Sequence, residues 1–283
     1  MSLLKQFIKY QSLGNDFVVF DWFKKPALFV HAELSGEGFG AFVRNLCDRH
    51  RGVGADGVLV ITNHPQASQP EVTVFNADGS RAESCLNGVR CIAHHLYTEH
   101  HFPNKFSLLL GQRVVDCTII KNDDQVEIIT QVGSAQIHGP LCVQTEAGAF
   151  DGSVVSIGNP HYFVFDAVSL EWLAAHGKAI ESHASFPQRT NVEFVWPQTT
   201  PVHEGVLHSY GMHVYERGCG VTLACSSGAA ALTALLHAQR AVRADEKIGI
   251  AMPGGAVVTW IAADGTISLQ APAHRVFTGL LED

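Results

Sequence analysis

Two cysteines, Cys85 and Cys225, stand 140 residues apart, and each directly precedes a run with the apolar spacing of a helix. The first backbone N–H groups of a helix have no partners inside it and carry partial positive charge. A thiolate at this position is stabilised, which predicts a pKa below the ordinary value of about 8.5 for both thiols. The same amides can bind a carboxylate. Candidate anion-binding residues are therefore those that follow each cysteine: Leu86, Asn87, Ser226 and Ser227.

The surroundings of the two cysteines also repeat. The phrase "SLGNDFVVFD" at residues 12–21 returns as "SIGNPHYFVFD" at residues 156–166, and Arg49 and Arg189 are 140 residues apart, as the cysteines are. Landmarks in the same order at nearly equal spacing indicate a duplicated unit. We therefore expect two related halves that divide near residue 130.

Each half must position its cysteine with a helix and a set of strands. After Cys85, four apolar residues keep the i, i+3, i+4, i+7 spacing of one buried stripe: Val89, Ile92, Ala93 and Leu96. The helix after Cys225 is rich in Ala and Leu on all sides, which predicts burial all round. Short β-rich runs outnumber the helices. The predicted fold class is α+β, with a sheet-dominated layer wrapped on one main helix in each half.

The pairing of the two cysteines suggests a reaction. If the halves face each other, the thiols approach one cleft from opposite sides. Inversion of an amino-acid Cα without a cofactor needs a base on one face of that carbon and an acid on the other. Two thiols, one ionised and one protonated, supply both roles in either direction. The alternative is that both cysteines are inert members of the core.

The composition excludes several classes of partner. The net charge is -8 and no run of like charges occurs, so neither a nucleic-acid stripe nor a cationic membrane face is expected. A small polar molecule remains as the partner. No apolar run approaches about 20 residues, and the start, "MSLLKQFIKYQS", is too short and too charged for a signal peptide. These features predict a cytoplasmic protein.

No metal or dinucleotide site is expected. The seven cysteines include no C-x-x-C pair, which argues against a disulfide framework and a structural zinc site. The sixteen histidines match no known ligand spacing and are expected to be mostly solvated, including the group His94, His95, His100 and His101. The run "GVGADG" at residues 52–57 fits a dinucleotide fingerprint, but a strand-like run follows where a helix should. We interpret it as a loop.

The chain resembles the diaminopimelate epimerase family over essentially its whole length. The motifs that carry the resemblance are "GNDFVV", "RHRGVGADG", "FNADGS", "NGVRC", "GNPH", "RTNVEF", "YERGCG" and "MPGG". The resemblance implies cofactor-independent conversion of LL-2,6-diaminopimelate to the meso isomer, for lysine and peptidoglycan synthesis, with Cys85 and Cys225 as paired acid and base. It adds His161 and Glu216 to the catalytic group. It also implies a set of substrate contacts: Asn15, Asn76, Asn159, Asn191, Glu216 and Arg217.

The fold that the resemblance implies has two pseudo-symmetric domains, each a β-barrel or sandwich around a central helix. The C-terminal tail is expected to return to the first domain. That domain then comprises residues 1–130 and 272–283 and carries Cys85, whereas residues 131–271 carry Cys225. No cofactor is implied, and a homodimer stays open as an assembly.

Three positions depart from the family pattern. Leu86 and Ser226 follow the cysteines where the family usually has Gly, and Val221 stands where it has Glu. All three positions are expected at the reaction centre, and the side chains of Leu86 and Ser226 are expected to crowd a place where Gly permits close approach. Two alternatives therefore stay open. One is a racemase of another amino acid, such as histidine, on the same fold, and the other is a non-catalytic amino-acid-binding protein.

Some of the candidate side chains also have purely structural alternatives. Arg49 and Arg189 can serve as anchors that bond loop carbonyls instead of acting in catalysis. An asparagine at a turn often bonds only its own backbone. Cys219, which has a glycine on each side, is left without a role.

Overall fold

The computed structural model describes residues 6–25, 34, 37–63, 69–82, 85–122 and 125–282. The chain forms two compact units, Met1–Thr130 with Ala271–Asp283, and Gln131–Gln270. Residues 1–5, part of the start that was excluded as a signal peptide, lie outside the described residues. Within the described ranges, no helix has the length and apolar character needed to cross a membrane.

The first unit is built on a mixed sheet. Its strands are β1 (Gln6–Ser12), β2 (Asn15–Asp21), β3 (Gly57–Asn63), β4 (Pro70–Asn76), β5 (Lys105–Leu110), β6 (Arg113–Asn122) and β7 (Gln125–Val132). The pairs β1–β2, β3–β4, β5–β6 and β6–β7 are antiparallel, and the pairs β2–β3 and β4–β5 are parallel. A parallel pair needs a crossover connection, and a helix supplies each of the two in this unit.

The strands β2 and β3 are apolar on both faces because a helix covers each face. Helix α1 (Glu37–Cys47) lies on one face, where it forms an apolar cluster with strand residues that include Val18 and Val60. Helix α2 (Leu86–Glu99) lies on the other face, where it forms an apolar cluster with strand residues that include Val19 and Leu59. The expectation of one main helix in this half was therefore incomplete, because the continuous apolar run in a strand requires cover on both sides.

Helix α2 is the one predicted after Cys85. The four residues of the predicted stripe have no exposed surface, which confirms the stripe: Val89, Ile92, Ala93 and Leu96. The helix contacts β1, β3, β4 and β6, so the strands of this unit wrap around it. This agrees with the expected arrangement of strands around a central helix.

The second unit has the same pattern of strand pairs. Its strands are β8 (Gln136–Thr145), β9 (Gly148–Ser156), β10 (Pro160–Val164), β11 (Asn191–Gln198), β12 (His208–Glu216), β13 (Gly220–Thr222), β14 (Ile248–Met252), β15 (Gly255–Ile261) and β16 (Ile267–Pro272). The pairs β9–β10, β11–β12, β14–β15 and β15–β16 are antiparallel, and β10–β11 and β12–β14 are parallel. The alternation of directions matches that of the first unit strand by strand, which confirms the two related halves.

Two helices belong to this unit. Helix α3 (Leu170–Glu181) begins after Ser169, whose Oγ accepts a hydrogen bond from the Trp172 N–H at 3.2 Å. Helix α4 (Ser226–Ala238) is buried along most of its length, which confirms the predicted burial all round. Helix α3 occupies the same place in the connectivity as α1, between two parallel strands, and the sequence analysis did not predict it either.

The last strand, β17 (His274–Leu280), pairs antiparallel with β1. The pairing runs from Gln6 opposite Leu280 to Gln11 opposite His274, with an irregularity between Lys9 and Tyr10. The hydroxyl of Ser12 also donates to the Pro272 carbonyl at 2.7 Å. The end of the chain thus completes the first unit.

The histidines near the end of α2 correct one expectation. They were expected to be mostly solvated, but the side chains of His95 and His100 are only 3% and 8% exposed. Both hydrogen-bond to Asp21 at the end of β2. They are buried because the last turn of α2 packs against that strand end, while His101 is exposed as expected.

Candidate active site

Cys85 is the N-cap residue of α2, as the sequence predicts. Its backbone is extended, and its Sγ accepts a hydrogen bond from the Gly88 N–H at 3.4 Å. A Cβ on Gly88 would lie 2.9 Å from Cδ2 of Leu59 and 3.3 Å from the sulfur, so a larger residue here would require the Leu59 side chain to move. The thiol therefore sits directly on the free amides of the first helical turn.

Cys225 caps α4 in the same way. Its Sγ accepts a hydrogen bond from the Gly228 N–H at 3.4 Å and lies 3.4 Å from Oγ of Ser227. A Cβ on Gly228 would lie 2.7 Å from Oε1 of Glu193, so a larger residue here would displace the carboxylate that bonds His161. The two units thus hold two thiols in matching positions.

The electrostatic surroundings of Cys225 contradict the predicted fall in its pKa. Burial raises the pKa of Cys225 well above its ordinary value, and the charges of Glu216 and Glu193 raise it further. Hydrogen bonds from Ser227 and Gly228 act in the opposite direction but are outweighed. The prediction failed because it counted the helix amides and not the desolvation and the carboxylates that folding places around the sulfur.

Two of the predicted binding residues meet in the first unit. Nδ2 of Asn87 donates to Oδ1 of Asn15 at 3.1 Å, and Nδ2 of Asn15 donates to Oδ2 of Asp56 at 2.8 Å. Arg90, one turn along α2, donates to Oδ1 of Asn87 and to Oγ of Ser12. Arg90 is buried and interacts electrostatically with Cys85. A buried cation therefore lies near this thiol.

Asn76 has a local role in the structure. It ends β4, and its Nδ2 donates to Oγ of Ser80 at 3.0 Å, while its backbone N–H donates to the Ser80 carbonyl at 2.8 Å. These bonds are those expected of a turn asparagine.

Arg49 is an anchor, as its structural alternative suggested, but its partners are carboxylates and not loop carbonyls. Its guanidinium lies 2.6 Å from Asp16 and 2.7 Å from Asp56. Lys9 lies 2.7 Å from the other oxygen of Asp16. Because Asp56 also accepts from Asn15, this ion network fixes the position of that asparagine.

Several predicted residues of the second unit form one connected group. Nδ2 of Asn159 donates to Oγ of Ser227 at 3.3 Å. Oδ1 of the same side chain lies 3.2 Å from Nε2 of His161. Nδ1 of His161 lies 2.5 Å from Oε1 of Glu193. Ligand atoms of His161, Glu193 and Cys225 all lie within 4.8 Å of one another. His161, which the resemblance adds to the catalytic group, therefore lies beside Cys225.

Glu193 is a residue that the sequence analysis missed. Its side chain is completely buried, burial raises its pKa, and the interaction with His161 opposes that rise. A backbone hydrogen bond from Tyr162 also opposes the rise. A carboxylate in the middle of the apolar strand "NVEFVW" was a readable signal, because a charged residue is rarely buried without a partner.

Glu216 lies at the end of β12 and faces the same thiol. Burial raises the pKa of Glu216, and a hydrogen bond from Oγ1 of Thr222 opposes the rise. Glu216 also interacts with Cys225 by a hydrogen bond. Two carboxylates, Glu216 and Glu193, therefore surround Cys225.

The side chain of Asn191 is hydrogen-bonded to the backbone of Arg217. Nδ2 of Asn191 donates to the Pro160 carbonyl, and its Oδ1 accepts from the Arg217 N–H, both at 2.9 Å. The Arg217 side chain is exposed and reaches the Gln188 carbonyl at 3.4 Å. Asn191 thus holds the turn that presents the guanidinium of Arg217.

Arg189 also proves to be an anchor. Its guanidinium forms an ion pair with Glu181, which is completely buried and was not predicted as important. Glu181 additionally accepts from Nζ of Lys178 at 2.9 Å and from the Gly218 N–H at 3.1 Å. This buried carboxylate connects the end of α3 to the turn after Arg217.

The three departures from the family pattern have different surroundings. Leu86 and Ser226 are the first residues of α2 and α4, directly after the N-cap cysteines, and are 7% and 4% exposed. Val221, which was also expected at the reaction centre, has different surroundings. It packs against the apolar cluster that includes Leu173 and Tyr215, while the next residue, Thr222, bonds Glu216. Successive residues of a strand point to opposite faces, which explains the difference.

The chain matches known proteins over nearly its whole length. Residues 7–138 and 153–276 match the sequence model of the family described as diaminopimelate epimerase. A protein of Nostoc sp. named "Diaminopimelate epimerase 1" is 35% identical, with 98% of this chain and 99% of the relative covered. A "Diaminopimelate epimerase" of Microcystis aeruginosa is 34% identical over 97% and 98% of the two chains.

Solved structures share the fold. The crystal structure of a probable proline racemase from Agrobacterium radiobacter superposes with a TM-score of 0.72 at 11% identity, and covers 98% of this chain and 93% of the other. At that identity the likeness supports the α+β fold of two related halves.

Proposed function

Because the chain belongs to the diaminopimelate epimerase family, we propose that it interconverts LL- and meso-2,6-diaminopimelate without a cofactor. The observation that carries the proposal is the matching pair of N-cap cysteines. In each unit a sulfur accepts a bond from the backbone N–H three residues on, at 3.4 Å. The product is a precursor of lysine and of peptidoglycan.

The proposed reaction is a proton exchange at one Cα. A thiolate takes the Cα proton on one face, and the thiol of the other cysteine delivers a proton on the opposite face. The two cysteines exchange their protonation states in each turnover, so protons balance and the reverse reaction uses the same groups. Helix N-terminal amides stabilise the negative charge that develops on the reacting carboxylate.

We propose that Cys225 is the acid and Cys85 the base in the resting protein. Burial and two carboxylates raise the pKa of Cys225 and favour its thiol form. A buried cation, Arg90, interacts with Cys85 and favours negative charge there. His161 and Glu216 are the proposed catalytic partners of Cys225.

The proposed binding residues are those that the family resemblance and the helix N-termini indicate. The backbone amides of Leu86, Asn87, Ser226 and Ser227 would hold the reacting carboxylate. The remaining contacts, which include the distal amino-acid group that does not react, are proposed for a second set: Asn15, Asn76, Asn159, Asn191 and Arg217. The exposed guanidinium of Arg217 supports its role, because a planar fork binds a carboxylate with two bonds.

A cytoplasmic site of action and a homodimer are also part of the proposal. Thiol chemistry of this kind needs reduced cysteines, which a reducing compartment maintains. Three exposed apolar residues of β17 support self-association: Val276, Phe277 and Leu280. Measurement of the molar mass by sedimentation equilibrium distinguishes monomer from dimer.

The experiment that tests the function uses reduced protein with LL-diaminopimelate in deuterium oxide. We expect deuterium at Cα and formation of the meso isomer. Cys85→Ala and Cys225→Ala should each lower kcat by at least about 1,000-fold, in line with loss of an acid/base group. Cys142→Ala is the matched control, because Cys142 is exposed and lies outside the proposed group.

Two results would count against the proposal. Correctly folded protein that gives neither deuterium exchange nor isomer has no epimerase activity. Full turnover by either single cysteine variant would exclude the two-base scheme while leaving the family assignment intact.

A further inference from the structure

Three side chains converge at a place that the proposed reaction does not use. Oδ2 of Asp21, at the end of β2, lies 3.1 Å from Nε2 of His95 and 2.7 Å from Nε2 of His100. The three atoms all lie within 4.8 Å of one another. The histidines belong to the last turn of α2 and to its C-cap, and sequence spacing alone did not reveal them because Asp21 is remote in the chain.

Each of the three side chains is held by a further contact. Nδ1 of His95 lies 3.3 Å from the hydroxyl of Tyr10, and Oδ1 of Asp21 accepts from the Phe23 N–H at 3.1 Å. The ring of His100 meets the ring of Phe23 edge to face, with centroids 5.0 Å apart. Such outer contacts fix the tautomer and the direction of the side chains in metal sites.

Burial and charge also fit a cation. The His95 and His100 side chains are 3% and 8% exposed, whereas Asp21 is 26% exposed and leaves a path to solvent. The C-terminal end of a helix carries partial negative charge, which favours a cation at this end of α2. The carboxylate supplies the only full negative charge among the three side chains.

We propose that Asp21, His95 and His100 bind a divalent transition-metal ion, with zinc as the expected ion, and leave a coordination position open to solvent. Two imidazole nitrogens and one carboxylate oxygen are a ligand set that suits zinc. Binding through Nε2 requires the ring proton of each histidine to lie on Nδ1, and at His95 the Tyr10 oxygen is placed to accept it.

The site would connect the end of β2 to the end of α2, the helix that presents Cys85. Any ion that binds the folded protein and not the unfolded chain stabilises the fold by mass action. We therefore expect zinc to raise Tm, independently of any effect on turnover. This inference does not depend on the proposed reaction.

Calorimetric titration of zinc into tag-free, metal-free protein tests the site. The titration uses the double variant Cys85→Ala, Cys225→Ala, because it removes the two N-cap thiols and breaks up the other group of ligand atoms around Cys225. We expect one zinc ion per chain and a rise in Tm. Cobalt in place of zinc should give visible absorption bands of a four-coordinate ion.

Variants of two ligands, Asp21 and His100, and of the outer residue Tyr10 define the result. Asp21→Asn and His100→Gln, in the same background, should each lower the affinity by more than about 10-fold, and Tyr10→Phe should lower it about 10-fold through loss of the outer contact. His101→Gln is the matched control, since His101 is the exposed neighbour of His100. Circular dichroism establishes that each variant is folded, and Tyr10→Phe tests the site even if a ligand variant fails to fold.

Two outcomes would overturn the site. One is the absence of saturable binding at one ion per chain. The other is binding that persists unchanged in folded Asp21→Asn or Tyr10→Phe, which would assign the ion to other residues. In either case the three side chains serve only as a hydrogen-bonded link between β2 and α2.

Discussion

Cys85 and Cys225 have the same place in the sequence pattern but unequal surroundings. Cys225 is buried between Glu216 and Glu193, whereas Cys85 is half-buried and interacts with Arg90. A helix N-terminus contributes similarly to both, so the difference comes from desolvation and from neighbouring charges. Unequal protonation is what a two-base reaction needs at rest.

Replacement of Glu216 by Gln should lower the pKa of Cys225. Burial is the largest cause of the raised pKa, and the charge of Glu216, which this change removes, is the second largest. The thiolate then forms at lower pH, while kcat falls because the acid/base partner is lost. A titration of thiolate absorbance, taken as the difference from the Cys225→Ser variant, measures the shift.

Glu171→Gln is the control for this titration, since Glu171 is exposed on α3 and is not among the groups that shift the pKa of Cys225. A thiolate titration that stays unchanged or moves to higher pH in Glu216→Gln would contradict the role of that carboxylate.

Asp16 should make stability depend on pH in the acid range. Burial alone would raise its pKa, but hydrogen bonds from Arg49 and Lys9 outweigh burial and lower it to about 2. The unfolded value is about 3.9. A depressed pKa contributes stability above the unfolded value, and this stability is lost as pH falls from about 4 to about 2.

We therefore expect Asp16→Asn to be about 2 kcal/mol less stable than the wild type at pH 7, and equally stable near pH 2. Urea unfolding at several pH values measures the difference. Asp116→Asn is the control, because Asp116 is exposed and bonds Ser107 instead of a cation. A constant difference between wild type and Asp16→Asn at all pH values would exclude the linkage.

At the scale of elements, the strands determine which helices are needed. The pairs β2–β3 and β10–β11 are parallel and each requires a crossover, which α1 and α3 supply. Helix α3 packs so closely on β12 that glycine is required at the contact. A Cβ on Gly177 would lie 2.4 Å from Cδ2 of Tyr215.

Two glycine-to-alanine changes in helices should have opposite effects. Gly177→Ala should destabilise the protein by about 1–3 kcal/mol through overpacking against Tyr215, although alanine is the better helix former by about 1 kcal/mol. Gly38→Ala in α1 is the matched control, since nothing lies within 4 Å of the added Cβ, and it should be neutral or stabilising. Urea unfolding measures both changes. Equal effects of the two would contradict the close contact of α3 with β12.

At the scale of the whole molecule, both ends of the chain contribute to the first unit. Strand β17 pairs with β1 along its length, so β1 depends on residues more than 260 positions away. Loss of β17 would leave the N–H and C=O groups on one edge of β1 without partners.

A variant that ends at Ala273 should show exchange of the β1 amides with solvent at least about 10-fold faster. Protection of β14 and β15 in the second unit should be unchanged. Hydrogen–deuterium exchange with mass spectrometry measures both, and Gly279→Val is a milder test, because its Cβ would meet the ring of Phe7 at 2.3 Å. Unchanged exchange in β1 after truncation would show that β17 does not protect it.

The sequence by itself determined the local features of this protein. The repeat predicted two related halves, the apolar stripe of Val89 and Leu96 predicted α2, and the position of the cysteines predicted two N-caps. These signals are readable because each depends on residues within one or two turns of helix or strand. The motifs also indicated the family, which the comparisons established.

Only the tertiary structure decided which distant residues meet. Glu193 reaches His161 across two parallel strands, Glu181 meets Arg189 after α3, and the carboxylates raise the pKa of Cys225 where local reasoning predicted a fall. The physical reason is that burial and charge at a group depend on neighbours from other elements, and only packing determines those neighbours.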